Sequence, residues 1–162
     1  MTEVSAIEIS ISEQSMLTHH VDGSQQQFRI ATASNGPGQE NGSECTPLGA
    51  HRVRACIGAG QPENSVFVGR RPTGEIYTEE LAERAPNRDW ILSRILWLCG
   101  NEPGRNRLGN VDTMRRYIYI HGAPDSHVMG VPSSHGCIKM RNHDIIELFD
   151  AVAVGTPVQI NQ

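Results

Sequence analysis

The segment from residue 121 to residue 140 reads His121-Gly-Ala-Pro-Asp-Ser-His-Val-Met-Gly-Val-Pro-Ser-Ser-His-Gly-Cys-Ile-Lys-Met140. It contains three of the seven histidines of the chain, one of the four cysteines, three glycines and two prolines. Glycine and proline at this density favour turns over a long helix. Turns that can bring imidazole and thiol groups together make this segment the first candidate for a functional site.

The residues on either side predict a strand before this segment, and a helix and a strand after it. Residues 116–121 alternate so that Tyr117, Tyr119 and His121 share one face of a strand. Asn142 is expected to be the N-cap of the helix. The buried stripe of that helix would consist of Ile145, Leu148, Phe149 and Val152. Residues 155–160 predict a closing strand.

The N-terminal half predicts strands joined by turns. Residues 7–11 alternate isoleucine with polar side chains, which is typical of a half-buried strand. The other strand candidates are residues 16–21, 28–33, 51–57, 65–70 and 75–77. Glycine, proline and asparagine separate these runs, and residues 34–43 form a long loop.

The middle of the chain predicts a helix over residues 90–98. Apolar side chains recur there at spacings of three and four, and include Trp90, Ile91, Ile95 and Leu98. Asn87 or Asp89 can cap this helix, and Gly100 can end it. The wider segment 79–112 carries no motif from which a role can be inferred.

Composition places the chain among globular proteins of one domain. The sequence has 162 residues, of which 38% are apolar and 20% charged, and we expect residues 1–162 to form a single domain. The net charge of −4 argues against general binding to nucleic acids or anionic membranes. No apolar run approaches the ~20 residues that span a bilayer. The sum of the elements is mainly β with two helices, an α+β fold.

The N-terminus and the cysteines bear on the compartment. The first ten residues lack the basic region and the apolar run of a secretory signal. We therefore expect a cytoplasmic protein, or a periplasmic or cell-wall protein if a leader was removed from this sequence. No Cys-x-x-Cys pair is present, which excludes a thioredoxin-type motif and a zinc ribbon. Free thiols are expected.

Cys137 carries the most specific chemistry of the segment 121–140. A cysteine nucleophile needs a lowered thiol pKa, a base within hydrogen-bond reach and donors for a developing oxyanion. Lys139 and Arg141 place positive charge near Cys137, so we expect a thiol pKa below the ~8.5 of a free cysteine. His121, at a strand end, is a candidate base. The N–H groups of Gly136 and Cys137 are candidate oxyanion donors.

Spacing alone leaves a second interpretation open. Cys137 can equally be a small buried residue, His121 a hydrogen-bonded strand end and His135 a loop histidine. A further observation is needed to separate this structural interpretation from the catalytic one.

The motif Ser134-His-Gly-Cys137 resembles the signature of the L,D-transpeptidase catalytic domain family (YkuD-like). That signature is a histidine, a loop, and then Ser or Thr followed by His-Gly-Cys and a hydrophobic residue. Here His121 ends the preceding strand and Ile138 is the hydrophobic residue. The turn Thr46-Pro-Leu-Gly and residues 140–158 resemble further parts of the family. The likeness extends from about residue 5 to residue 160.

The resemblance implies a cysteine acyl-transferase of peptidoglycan that uses no cofactor and no metal. Its partner would be a tetrapeptide stem or muropeptide. The enzyme would attack the L,D amide between stem residue three, often meso-diaminopimelate, and the terminal D-Ala, and would hold the stem as a thioester. An amine of a second stem then takes the acyl group in transpeptidation, and water takes it in carboxypeptidation. The implied fold is a mostly β sandwich or cradle.

The resemblance also assigns roles to residues. Cys137 is the nucleophile, His121 is the general base, and the Gly122 carbonyl orients the imidazole. The nucleophile and the oxyanion side would be lined by Ser134, His135 and Gly136. The basic candidates for the carboxylates of the substrate are Lys139, Arg141 and one of Arg115 and Arg116. For these arginines a solvated strand flank is the alternative, and Tyr119 fits the core and the cleft equally.

One residue departs from the common family pattern, and the acceptor of the reaction stays open. Lys139 stands where arginine, or in some members asparagine, is usual, and lysine lacks the bidentate fork of a guanidinium. A cytoplasmic location would favour an L,D-carboxypeptidase that uses water as the acceptor during muropeptide recycling. No residue decides between water and an amine, and the sequence makes no prediction of the oligomeric state.

Two other classes of function stay open. A zinc peptidase could draw its ligands from His121, Asp125, His127, His135 and Cys137. The sequence contains no His-Glu-x-x-His motif, which argues against it. The second class is a non-catalytic module that binds the cell wall.

Overall fold

Ten strands form one continuous, branched sheet with two α-helices in the computed structural model, which describes all 162 residues. The elements in chain order are β1 (Val4–Ser10), β2 (Ser15–His20), β3 (Gln25–Arg29), β4 (Gly49–Ile57), β5 (Ser65–Val68), β6 (Arg71–Ile76), α1 (Glu79–Arg84), β7 (Ile91–Gly100), β8 (Tyr119–Ala123), β9 (Ile138–Arg141), α2 (Asn142–Ala151) and β10 (Pro157–Asn161). One 3₁₀ turn spans Gly109–Val111. The prediction of a mainly β fold with two helices is confirmed, although one of the helices is not the predicted one.

The sheet follows the order β3-β2-β1-β10-β4-β7-β5-β6, and β8 and β9 extend it from β7. β7 is the branch point, because it pairs with β4, β5 and β8. β8 and β9 run parallel, with His121 opposite Lys139. This pairing places the two ends of the segment 121–140 side by side.

The first strand, the last helix and the last strand form where their periodicity predicts them. In β1, Ile7 and Ile9 are buried, and Glu8 between them is exposed. Ile145 and Leu148 of α2 are wholly buried and belong to the main hydrophobic core. α2 packs against β7, β8 and β9, so the core lies directly beneath the segment 121–140. No helix is long and apolar enough to cross a membrane.

The helix predicted over residues 90–98 is wrong, because residues 91–100 form β7. Leu92, Ile95, Leu96 and Leu98 are all completely buried. β7 has partner strands on both edges and is covered on both faces, so its apolar side chains form a run instead of alternating. Periodicity alone does not distinguish such a strand from a buried helix. The helix in this part of the chain is α1, capped by the Thr78 hydroxyl, which accepts from the Leu81 N–H at 3.1 Å.

Two local predictions around the segment 121–140 need correction. Tyr117 lies outside β8 with a φ of +57°, so it does not continue the strand that holds Tyr119. Asn142 is the first residue of α2, and the N-cap position belongs to Arg141, whose side chain makes no capping bond. The Asn142 amide is buried and bonds instead to Ser93 Oγ at 2.6 Å and to the Ala123 carbonyl at 2.9 Å.

Candidate active site

A cleft of about 460 Å³ opens where β8 and β9 meet the turn between β5 and β6. Its wall is built by Gly69, Arg70, Asp89, Ile91, Tyr117, Tyr119, His121, Ser134, His135, Cys137 and Lys139. Six of these residues come from the predicted site: Tyr119, His121, Ser134, His135, Cys137 and Lys139. The cleft therefore brings together one thiol, two imidazoles and three charged side chains.

Cys137 immediately precedes β9 and is half-buried at the wall of the cleft. Its thiol donates to the Tyr117 carbonyl at 3.4 Å, and its sulfur accepts from the Tyr119 N–H at 3.3 Å. Burial raises the pKa of Cys137 to about 12, although the Tyr119 N–H opposes this shift. The predicted pKa below 8.5 is thus wrong, since desolvation outweighs the positive charge of Lys139.

His121 lies in β8 and is wholly buried. Its Nδ1 bonds to the Gly122 carbonyl at 2.7 Å. Since a carbonyl only accepts, Nδ1 carries the proton and Nε2 keeps a free lone pair. Burial lowers the pKa of His121, against the effect of the Gly122 carbonyl, so the imidazole is neutral and able to accept a proton.

The two central side chains share the cleft without a direct bond between them. His121 Nε2 is buried and has no hydrogen-bond partner. A buried polar atom without a partner is uncommon in folded proteins and often marks a functional group. The expected hydrogen bond between His121 and the thiol is absent, and the thiol proton is held by the Tyr117 carbonyl.

The loop before Cys137 is held by hydroxyl groups. Ser134 Oγ donates to the Cys137 carbonyl at 2.5 Å and accepts from the Gly136 N–H at 3.2 Å. Thr46 Oγ1 donates to the Gly136 carbonyl at 2.9 Å. Of the two expected oxyanion donors, the Gly136 N–H is thus engaged, and the Cys137 N–H has no partner within the chain.

Gly136 occupies a backbone conformation that requires glycine. Its φ is +134°, and a Cβ there would meet Ile118 Cδ1 at 3.0 Å. The glycine of the His-Gly-Cys motif thus turns the chain sharply just before the nucleophile.

The basic residues divide between the cleft and the surface. Lys139 lines the cleft, whereas Arg141 is exposed at the end of β9 and does not reach it. Arg115 is exposed as well. Arg116 donates to the carbonyls of Gly38, Gln39 and Cys45, and so it ties down the loop 38–45. Arg141, Arg115 and Arg116 are thus not part of the cleft wall, and a contact of any of them with the substrate stays a prediction.

Arg70, from the turn between β5 and β6, is a cleft residue that the sequence did not indicate. Its guanidinium lies 4.7 Å from the Trp97 ring centroid and 4.9 Å from that of Tyr117, and it donates to the Tyr119 hydroxyl at 3.0 Å. The two interpretations of Tyr119 are both correct. Its ring packs in a buried cluster with Phe67 and Ile95, and it also lines the cleft.

The potential zinc ligands are not arranged to hold one metal ion, although His121, His135 and Cys137 line the same cleft. No group of three or more His, Cys, Asp or Glu side chains has the arrangement to hold a metal ion. The Asp125 carboxylate accepts from the Asn142 amide at 3.3 Å, and His127 bonds through Nε2 to Ser133 Oγ at 2.7 Å.

Residues 5–160 match the family model described as YkuD, the L,D-transpeptidase catalytic domain. A 44-residue stretch is 48% identical to the probable L,D-transpeptidase YbiS of Escherichia coli (strain K12) and covers 27% of this chain and 14% of that protein. A 45-residue stretch is 51% identical to the probable L,D-transpeptidase ErfK/SrfK of Salmonella typhimurium (strain LT2) and covers 28% of this chain and 15% of that protein. These matches thus span about one seventh of the length of the curated relatives.

Solved structures share the fold. L,D-transpeptidase 3 from Mycobacterium tuberculosis, in complex with a faropenem-derived adduct, is similar at a TM-score of 0.60 with 16% sequence identity, over 97% of this chain and 60% of that one. An L,D-transpeptidase from Enterococcus faecium is similar at a TM-score of 0.58 with 19% identity, over 99% of this chain and 50% of that one. Both solved chains are longer than the part that this chain matches.

Proposed function

Since the chain belongs to the YkuD family of L,D-transpeptidase catalytic domains, we propose that it is a cysteine acyl-transferase of peptidoglycan peptides. Its substrate is a tetrapeptide stem, and it attacks the L,D amide before the terminal D-Ala. Cys137 is the nucleophile and His121 is the general base.

In the first half-reaction, His121 Nε2 takes the proton of the Cys137 thiol, and the sulfur attacks the carbonyl carbon of the amide. The C–N bond breaks, the imidazolium returns its proton to the departing amine of D-Ala, and the acyl group stays on sulfur as a thioester. In the second half-reaction, an amine of another stem loses a proton to His121 and attacks the thioester. The sulfur leaves and regains the proton from His121.

One observation carries this proposal. Only two buried side-chain polar atoms lack a hydrogen bond, and one of them is His121 Nε2 on the wall of the cleft that contains Cys137. Its tautomer leaves the lone pair on that atom, because the Gly122 carbonyl takes the Nδ1 proton. His121 Nε2 is therefore free to accept a proton before substrate arrives.

The high pKa of Cys137 makes thiolate formation part of the catalytic cycle. The thiol is neutral and donates to the Tyr117 carbonyl. Because His121 takes the proton as the sulfur attacks, no thiolate has to form in advance. The unpartnered Cys137 N–H is available to stabilise the oxyanion as it forms. Arg70 and Lys139 supply the positive charge of the cleft that attracts the carboxylates of the stem.

Intact-protein mass spectrometry with a tetrapeptide tests the mechanism. We expect an adduct equal to the peptide minus D-Ala, carried by the fragment that contains Cys137. Cys137→Ala should abolish it, while Cys56→Ala, which replaces a half-buried thiol of β4 outside the cleft, should not. His121→Gln should slow acylation by about 10²- to 10⁴-fold. An adduct that persists in Cys137→Ala would overturn the assignment of the nucleophile.

The products then identify the acceptor. Crosslinked dimer or an exchanged D-amino acid would show transfer to an amine. Free tripeptide with D-Ala as the only products would assign the chain to L,D-carboxypeptidation, in which water takes the place of the amine.

A further inference from the structure

Asp89 is the only carboxylate among the residues that line the cleft. It is exposed, and its side chain takes part in none of the ion pairs or side-chain hydrogen bonds of the chain. The other two charged groups of the cleft are the cations Arg70 and Lys139. Neither cation forms an ion pair with Asp89, so the carboxylate is free to bind a positively charged group of a ligand.

The residues next to Asp89 in the chain are anchored. Arg88 forms a bidentate pair with Glu75, with N···O distances of 3.0 and 2.9 Å, and its guanidinium lies 4.5 Å from the Trp90 ring centroid. Trp90 in turn packs edge-on against Tyr77 at 5.1 Å between centroids. These contacts hold the backbone on both sides of Asp89, so its carboxylate is positioned in advance of binding.

The charge of Asp89 acts on the reacting groups. Burial is the main reason why the pKa of Cys137 is high and that of His121 is low. The charge of Asp89 raises the pKa of Cys137 further, and it partly offsets the lowering of the pKa of His121. For Cys137 the carboxylate therefore opposes thiolate formation. A cation that binds beside Asp89 would cancel this opposition at the moment when the sulfur must lose its proton.

We propose that Asp89 binds a primary ammonium group of the peptide in the cleft and so selects substrates that carry one. The inference rests on the proposed function and adds a specificity-determining residue to it. The ammonium belongs to the side chain of stem residue three in the donor or to the attacking amine before it loses its proton. Both are alkylammonium groups, and Arg70 and Lys139 bind the carboxylates that accompany them.

Two donor peptides separate this role from a general effect of charge. They differ only at stem residue three, which is lysine in one and Nε-acetyl-lysine in the other, and kcat/KM is measured for the release of D-Ala. Because an ion pair in a partly exposed cleft is worth up to about 1 kcal/mol, we expect the wild type to prefer the lysine donor by up to about fivefold. Asp89→Asn should remove this preference, and Asp89→Glu should restore part of it.

A second arm tests the acceptor with the acetylated donor, by measuring the KM of an amine-bearing acceptor peptide in transfer. A rise of KM in Asp89→Asn here, with no change of preference between donors, assigns the ammonium to the acceptor. The matched control is Glu83→Gln, which removes one negative charge from an exposed position of α1 outside the cleft. It should leave both measurements at their wild-type values.

Acylation of Cys137 by faropenem, which has no amine, reports separately on the nucleophile. If Asp89→Asn forms this adduct but keeps the wild-type donor preference and the wild-type acceptor KM, the inference is wrong and the proposed function stands. If the wild type forms no adduct with either faropenem or a tetrapeptide, both proposals are wrong.

Discussion

Thr46→Val should both destabilise the protein and slow acylation, because Thr46 ties the loop before the nucleophile to the rest of the sheet. Thr46 is completely buried. Its Oγ1 accepts from the Ala33 N–H at 3.0 Å and donates to the Gly136 carbonyl at 2.9 Å. Neither of these backbone groups has another partner. Valine has nearly the same shape, so the change removes two hydrogen bonds without opening a cavity.

The magnitude follows from the two groups left unsatisfied. A buried donor or acceptor without a partner costs about 1–3 kcal/mol, so the two groups together should lower the free energy of unfolding of Thr46→Val by about 2–6 kcal/mol. Relaxation of the loop beside Gly136 would also displace Cys137, and we expect acylation by faropenem to slow by about tenfold to a hundredfold. Urea denaturation measures the first effect and time-resolved mass spectrometry the second.

Thr18→Val is the matched control. Thr18 is also completely buried, and its Oγ1 bonds to His20 Nε2 at 2.8 Å and to the Gln26 carbonyl at 3.2 Å, in β2 away from the cleft. It should lower stability but leave the acylation rate of the folded protein unchanged. Two results would refute the reasoning: stability of Thr46→Val within about 0.5 kcal/mol of the wild type, or an equal loss of acylation rate in both variants.

Three further predictions concern the thiol, the turn and the response to acid. Alkylation of Cys137 by iodoacetamide in the free protein should keep rising with pH above 9, since burial raises its pKa to about 12, and a midpoint below 8.5 would contradict this. Gly136→Ala should cost about 1–3 kcal/mol at a φ of +134°. The cost should exceed that of Gly60→Ala, where φ is also positive at +76° but a Cβ meets no atom within 4 Å; equal unfolding midpoints would show that the contact with Ile118 adds no cost. Burial lowers the pKa of His51 to about 4, so the unfolded chain binds more protons than the folded one between pH 6.5 and pH 4. The free energy of unfolding should therefore fall as the pH falls, by about 1.4 kcal/mol per pH unit from this residue. Urea unfolding at pH 7 and pH 5 measures this, and the loss should be smaller in His51→Gln.

Prediction from the sequence succeeded where a short-range pattern and the tertiary environment agree. β1 has one buried and one solvated face, and α2 has one buried stripe, so the alternation of Ile7 to Ile9 and the spacing of Ile145 and Leu148 describe their surroundings directly. β7 is buried on both faces, so its side chains carry no such alternation. The same residues that predicted a helix are the ones that a central strand requires.

The residues of the cleft also divide into those that the sequence indicated and those that only the fold brings there. The motif from Ser134 to Cys137 and the histidine at 121 are close in sequence to the parallel pair β8–β9, and the sequence alone indicated them as the reactive groups. Arg70 and Asp89 reach the cleft from the β5–β6 turn and from the residues before β7, and only the pairing of β5 with β7 brings them there.

The sequence by itself determined the chemical groups, the mainly β character and the family of this chain. The tertiary structure alone decided the state of those groups. Charges near Cys137 along the chain suggested a thiolate, but Cys137 is half-buried in the cleft wall, and desolvation outweighs those charges. Desolvation depends on which atoms from distant parts of the chain exclude water, and this is a property of the packed fold that no local pattern contains.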